Sequence, residues 1–228
     1  MSQIRTIGII MDGNRRWAKQ KRLPKLAGHR RGAEKLRAVL GWSRAAGVET
    51  VIVYAFSTEN WHRSKLEVSF LFKLFRRFLK TEIDSLITDK TIFRCLGDRH
   101  SLPTDLQSDM ELAEARTSKL GPQTLVLAVA YGGRAEILNA AKIFAKRYQG
   151  QLNAAGESEF SQCLFTTGLP DPDLIIRTGG EQRLSNFLPW QSVYSELYFT
   201  PTLWPALTHK EFSTILAEVA NRDRRFGR

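Results

Sequence analysis

The sequence has 228 residues, enough for one large domain or two ordinary ones. Hydrophobic residues make up 43% and charged residues 25%, a balance that excludes a mostly disordered chain, a fibrous repeat and a polytopic membrane protein. Lys and Arg number 34 against 23 Asp and Glu, a net charge of +11, which suits nucleic acid, an anionic membrane surface or a phosphorylated substrate, or simply a solvated basic surface.

Met1-Ser2-Gln3-Ile4-Arg5 runs straight into a strand-like segment, so no leader is expected. Ile7-Gly8-Ile9-Ile10-Met11 is a short apolar run ending in Asp12-Gly13-Asn14 and predicts a first strand. Residues 30–46 read as a helix stopped by Gly47, and 51–55 as a second buried strand. Ser64-x-x-Glu67 looks like a capping box that opens a long helix to about Leu86. Residues 92–96 read as a third strand and 104–118 as a helix. A fourth strand, 125–130, ends at Tyr131-Gly132-Gly133 and precedes a helix to about Tyr148. The stretch 149–172, with Gly150, Gly156, Gly168, Pro170 and Pro172, reads as a long loop with one helical turn at most. Residues 174–176 and 197–199 are the fifth and sixth strands, and Thr208-x-x-Glu211 caps a last helix. Apolar strands separated by helices predict an α/β fold: a single domain over 1–228 with a central, mostly parallel six-stranded sheet flanked by helices. Cys95 and Cys163 lack metal-ligand spacing and read as free core thiols of a reducing compartment.

In open parallel sheets, ligands bind beyond the carboxyl ends of the strands. The unusual residues fall there: Asp12-Gly13-Asn14-Arg15-Arg16-Trp17, then Ser57-Thr58-Glu59-Asn60-Trp61-His62-Arg63, then Gly132-Gly133-Arg134, then the run Arg177 to Asn186. Gly lets backbone approach an anion, a free helix N-terminus offers N–H donors, and Arg forks onto phosphate oxygens. Asp12 is odd beside so much positive charge. Mg²⁺ between that carboxylate and substrate phosphates accounts for it; the alternatives are that Asp12 caps the first helix and that Gly179-Gly180 is only a tight turn. No P-loop, dinucleotide glycine motif, Asp-Asp-x-x-Asp, H-E-x-x-H or G-x-S-x-G occurs, which removes the enzyme classes those motifs serve.

Met11-Asp12-Gly13-Asn14-Arg15-Arg16-Trp17-Ala18, Gly28-His29-x-x-Gly32, Tyr54 to Trp61 and Asp173 to Glu181 resemble the cis-prenyltransferase family, in particular bacterial undecaprenyl diphosphate synthases. The resemblance continues through Glu196-Leu197-Tyr198-Phe199, Leu203-Trp204-Pro205 and Arg224-Arg225-Phe226-Gly227. It implies condensation of isopentenyl diphosphate onto an allylic diphosphate, usually farnesyl diphosphate, by a Mg²⁺-dependent homodimer that makes undecaprenyl diphosphate or a shorter chain. It implies catalytic roles for Asp12 and Asn60. Diphosphate binding falls to Gly13, Asn14, Arg15, Arg16, Trp17, Lys25 and His29. Ser57, Thr58, Glu59, Trp61, Arg63 and Glu67 would lie near the reacting carbons, Arg177, Arg183 and Ser185 on isopentenyl diphosphate, and Asp12 with Glu196 on the metal.

Arg15, Lys25 and Gln182 depart from the pattern expected of bacterial members, where Gly, Arg and His stand. Leu71, Leu74, Phe75 and Phe78, with Phe70 and Phe72, are candidate walls of an apolar tunnel, and their alternative is core packing. A cytoplasmic enzyme touching the inner membrane face follows from the basic surface and the apolar product. The rival, a basic nucleic-acid-binding protein, leaves Asp12, Glu196 and the Gly-Gly turn unexplained; no nucleic-acid partner is expected.

Overall fold

The computed structural model describes residues 3–150 and 155–222. The Arg224-Arg225-Phe226-Gly227 block lies outside the described residues. Six strands form one sheet in the order β3-β4-β2-β1-β5-β6: β1 (Thr6–Ile10), β2 (Thr50–Ser57), β3 (Thr91–Leu96), β4 (Gln123–Tyr131), β5 (Leu174–Arg177) and β6 (Glu196–Phe199). All five pairings are parallel, which makes the sheet more regular than the mostly parallel one expected. β-branched and aromatic residues dominate these strands, and alternate residues feed different faces. Val51, Val53, Leu125 and Leu127 join one buried cluster. Ile52, Val126, Ala128 and Ile175 join another.

Among the described residues there are eight α-helices, seven between strands and one after the last: α1 (Asn14–Gln20), α2 (Lys25–Ala45), α3 (Lys65–Thr81), α4 (Ile83–Thr88), α5 (Thr104–Thr117), α6 (Gly133–Arg147), α7 (Glu157–Ser161) and α8 (His209–Ala220). Two boundaries differ from expectation. α2 starts at Lys25, behind Pro24, because the Gly28 and Gly32 that blur its apolar pattern face α1: a Cβ on either would collide with Asn14. The helix expected to run to Leu86 breaks at Glu82, whose carboxylate pairs with Arg37, and Ile83 and Leu86 turn into the core as α4. Both cysteines are free and buried.

Chain direction explains the site. β1 is followed by β2 on one side, and after β4 the chain returns to lay β5 on the other side of β1. That reversal opens a crevice at the carboxyl end of β1, the usual ligand position in such sheets. Ile10 pairs with both Tyr54 and Arg177, so β1 and β5 end level while β2 runs three residues further, to Ser57.

Candidate active site at the carboxyl edge of the sheet

A cleft of about 1320 Å³ opens at this edge, wide enough for more than one small ligand. Asp12 sits at its floor. Its backbone oxygen accepts from Thr178 Oγ1 (2.8 Å) and Trp204 N–H (3.0 Å), which pins the turn leaving β1. Gly13 then has φ +107°, and a Cβ there would press on Leu203, so glycine is required. α1 starts with no side-chain cap, so Asp12 does not cap it. Instead the Asp12 carboxylate lies between two guanidiniums: Arg16 Nη2 is 3.1 Å from Oδ1, and Arg177 Nη2 donates to Oδ2 at 3.0 Å.

Arg177 ends β5 and is 5% exposed. Its Nη1 donates to Ser185 Oγ (2.7 Å) and to the Arg183 carbonyl (2.5 Å). Arg183 therefore enters through its backbone, while its exposed side chain pairs with Glu181. Gly179 and Gly180 have φ +87° and +82°, and their N–H groups donate to the backbone of Thr202 and Thr200. They form a tight turn, over which Arg16 lies, and are not an open anion cradle.

Asn186 joins three segments. Its Nδ2 donates to Glu59 Oε1 (2.9 Å), and its Oδ1 and carbonyl accept from Arg134 N–H and Gly133 N–H, both at 2.8 Å. These contacts occupy the N-terminus of α6 and leave the Arg134 side chain on the cleft wall. After β2, Asn60 Oδ1 accepts from Ser57 N–H (3.2 Å) and the Ser57 side chain accepts in return, a reciprocal cap on the turn Thr58–His62.

The capping box expected at α3 is only half formed. Ser64 Oγ accepts from Glu67 N–H, but the Glu67 carboxylate turns inward to His29 Nε2 (3.3 Å) and Arg63 Nη1 (3.0 Å). Burial lowers the His29 pKa from its ordinary value; Glu67 opposes this but does not cancel it.

Comparison with known proteins decides the family. The profile described as "Putative undecaprenyl diphosphate synthase" matches residues 10–227. The chain belongs to this prenyltransferase family. An isoprenyl transferase of Thermotoga maritima is 44% identical over 222 residues, covering 97% of this chain and 95% of that protein. The ditrans,polycis-undecaprenyl-diphosphate synthase of Micrococcus luteus is 42% identical, covering 97% of this chain and 90% of that one. Among solved structures, lavandulyl diphosphate synthase from Lavandula x intermedia, in complex with dimethylallyl diphosphate, superposes with a TM-score of 0.95 at 36% identity over 99% of both chains. A probable undecaprenyl diphosphate synthase from Campylobacter jejuni gives 0.83 at 33% identity over 100% of both.

In this prenyltransferase the cleft gathers most of the expected residues. From β1 and α1 come Asp12, Gly13, Asn14, Arg15 and Arg16; α2 adds Lys25 and His29. Ser57, Glu59, Asn60 and Arg63 come from the end of β2 and its turn, and Arg177 and Ser185 from β5 and its loop. Trp17, Thr58 and Trp61 do not line the cleft; Trp61, partly exposed, meets Phe56 and Phe72 edge-on at 5.2 and 5.4 Å. Of the six candidate tunnel residues on the long helix, only Leu71 lines the cleft. Phe72, Phe75 and Phe78 pack into the core.

Glu196 requires a correction. It opens β6 opposite Leu174, three residues before the level of Arg177, so it lies about 10 Å back along the strand. Its carboxylate pairs with Arg222 at 2.7 Å. A parallel strand puts its first residue at the amino edge, and Asp12 and Glu196 of one chain do not meet. Among the described residues no group of three or more His, Cys, Asp and Glu could hold a metal. The single carboxylate of Asp12 still fits Mg²⁺, which is commonly held by one or two carboxylates together with substrate phosphates. Arg134 and Asn186 stand among the strand-end groups that the sequence marks as suited to phosphate, though without an individual role, whereas Lys19, on the cleft wall from α1, carries no such signal.

Proposed function

We propose that this prenyltransferase condenses isopentenyl diphosphate onto an allylic diphosphate in the Asp12–Arg177 cleft, building a Z-polyprenyl diphosphate for lipid-carrier synthesis. One observation carries the reading: a carboxylate held between two guanidiniums, at the floor of a cleft that is cationic at its mouth and bounded by Ile10, Met11, Ala55 and Leu71.

Arg15, Arg16, Lys25 and His29, with the uncapped start of α1, hold the allylic diphosphate. Arg177, Ser185 and Arg134 hold isopentenyl diphosphate. The allylic C–O bond breaks and its electron pair leaves with the diphosphate; the isopentenyl double bond supplies the pair for the new C–C bond, and a neighbouring carbon loses a proton to a base such as the released diphosphate. Asp12 would hold Mg²⁺, which would supply charge neutralisation for the leaving group. Arg16 adds a fixed positive charge at the same place, and Arg177 fixes the orientation of Ser185 and so the approach of the second substrate. Asn60, braced by Ser57, positions the turn over the reacting carbons.

The proposal includes a homodimer working in the cytoplasm at the inner membrane face. Exposed Val193 and Leu197, beside the edge strand β6, support a second copy. No helix among the described residues is long and apolar enough to cross a membrane.

Incubation of the purified chain with Mg²⁺, labelled isopentenyl diphosphate and either geranyl or farnesyl diphosphate tests the reaction; a pure chain that incorporates no label from either primer refutes it. Ala55→Leu, on the apolar wall, is expected to shorten the product, read by chromatography of the dephosphorylated alcohols. An unchanged length removes Ala55 from the path of the growing chain.

A further inference from the structure

Residues 13–33 contain eight Lys and Arg and no Asp or Glu. They fold as the hairpin of α1 and α2 at the mouth of the cleft. Substrate binding accounts for half of this charge, since Arg15, Arg16, Lys19 and Lys25 line the cleft. Lys21, Arg22, Arg30 and Arg31 do not line it, and among the described residues only Arg31 of these four has an acidic partner, Glu34. Lys21 and Arg22 form the hairpin tip with Leu23, which is 45% exposed. The tip is held in place: Arg22 takes a left-handed φ of +56°, and Leu23 N–H donates to the Ala18 carbonyl at 2.8 Å. Leu66, 74% exposed, stands beside Lys65 on the first turn of α3. That turn is tied to the first turn of α2 through Glu67 and His29.

We propose that the hairpin tip, with Leu66, is the surface on which this protein docks to an anionic lipid bilayer. Cations outside the cleft lining that adjoin exposed aliphatic side chains along the chain, Lys21 and Arg22 next to Leu23 and Lys65 next to Leu66, match the headgroup region of such a membrane, where positive charge meets lipid phosphate and short apolar side chains enter the acyl boundary. Leu23 also lines the cleft, but a nucleic acid would use the charge and leave the exposed Leu66 without a role. The surface also lies at the cleft mouth, so a hydrocarbon product passes into lipid without crossing water. The reason for docking rests on the proposed reaction, but the test does not use turnover.

The test is co-sedimentation of the purified full chain with vesicles of phosphatidylcholine alone or mixed with phosphatidylglycerol. The parent is expected to bind only the phosphatidylglycerol vesicles and to be released by salt. Lys21→Gln/Arg22→Asn removes two charges and keeps a residue that tolerates the left-handed backbone; it is expected to lower vesicle partition roughly tenfold or more. Leu66→Ser is expected to lower it severalfold. Both variants should keep parental turnover in vesicle-free solution. A parent that ignores phosphatidylglycerol vesicles, a double variant that binds them as the parent does, or a parent that captures duplex RNA and no vesicles would each overturn the proposal. A chain that binds vesicles in this way but turns over no prenyl substrate would defeat the reaction and leave the docking surface standing.

Discussion

The two banks of the cleft are built on opposite principles. On the β5 bank the polar groups hold one another: Arg177 is buried and fixed by Asp12, Ser185 and the Arg183 carbonyl, and Asn186 ties the same loop to α6 and to Glu59. On the bank of α1 and α2, Arg15, Lys19 and Lys25 are exposed and have no acidic partner among the described residues. The first bank is preorganised, with its hydrogen bonds made before a ligand arrives, and so can fix a geometry. The second offers solvated charge, which attracts anions from a distance and is weakened by salt. Asp12 belongs to both, through Arg177 and Arg16.

Asp12→Ala therefore has the largest expected effect, since it removes the carboxylate shared by the two banks. Incorporation of labelled isopentenyl diphosphate should fall by about a thousandfold, while the circular dichroism melt remains cooperative. Turnover near the parent level would detach the chemistry from Asp12.

Arg177→Lys comes next. A point charge cannot reach Asp12, Ser185 and the Arg183 carbonyl together, so kcat/KM for isopentenyl diphosphate should drop by roughly a hundredfold, with the allylic KM little changed. Equal losses for both substrates would show that the banks do not divide the labour.

The division is sharpened by a smaller pair. Lys25→Ala should raise the allylic KM a few-fold, by an amount that shrinks in high salt. Arg134→Gln should raise the isopentenyl KM instead, leaving kcat unaltered. If both variants act on the same substrate, Arg134 is assigned to the wrong bank.

The smallest effect concerns pH. Burial holds the folded His29 below its ordinary pKa, so between those two values the unfolded chain binds more protons than the folded one. This contribution is fully present above about pH 6.5 and diminishes as pH falls through that region, levelling off once the folded imidazole also takes its proton. Relative to the parent, His29→Gln should show a shallower fall in melting temperature between pH 7.5 and 5.5. Parallel curves would mean that His29 does not titrate differently on folding.

Much of this arrangement was legible in the residues. Each strand run appears in the sheet, because an apolar stretch bounded by Gly, Asp or Asn has few alternatives once helices separate it from the next. The polar residues at the strand ends gathered as expected, because parallel strands place all their carboxyl ends on one edge. The break at Glu82 was hidden, since the helical pattern continues across it and only the pairing with Arg37 and the burial of Ile83 and Leu86 account for it. The capping box at Glu67 was misread for a similar reason: spacing satisfied the local pattern, but a carboxylate enclosed by packing gains more from His29 and Arg63 than from its own helix end.

Local order and chemical type were thus decided by the sequence alone: which segments form strands, where glycine is needed, and that Asp12 ends the first strand among cations. Tertiary structure decided who meets whom. It brought Arg177 to Asp12 across the chain, left the Arg183 side chain outside and set Arg134 on the cleft wall. It also withdrew Glu196 to the far edge of the sheet. Strand order and register are summed over the whole core, so no short motif carries them.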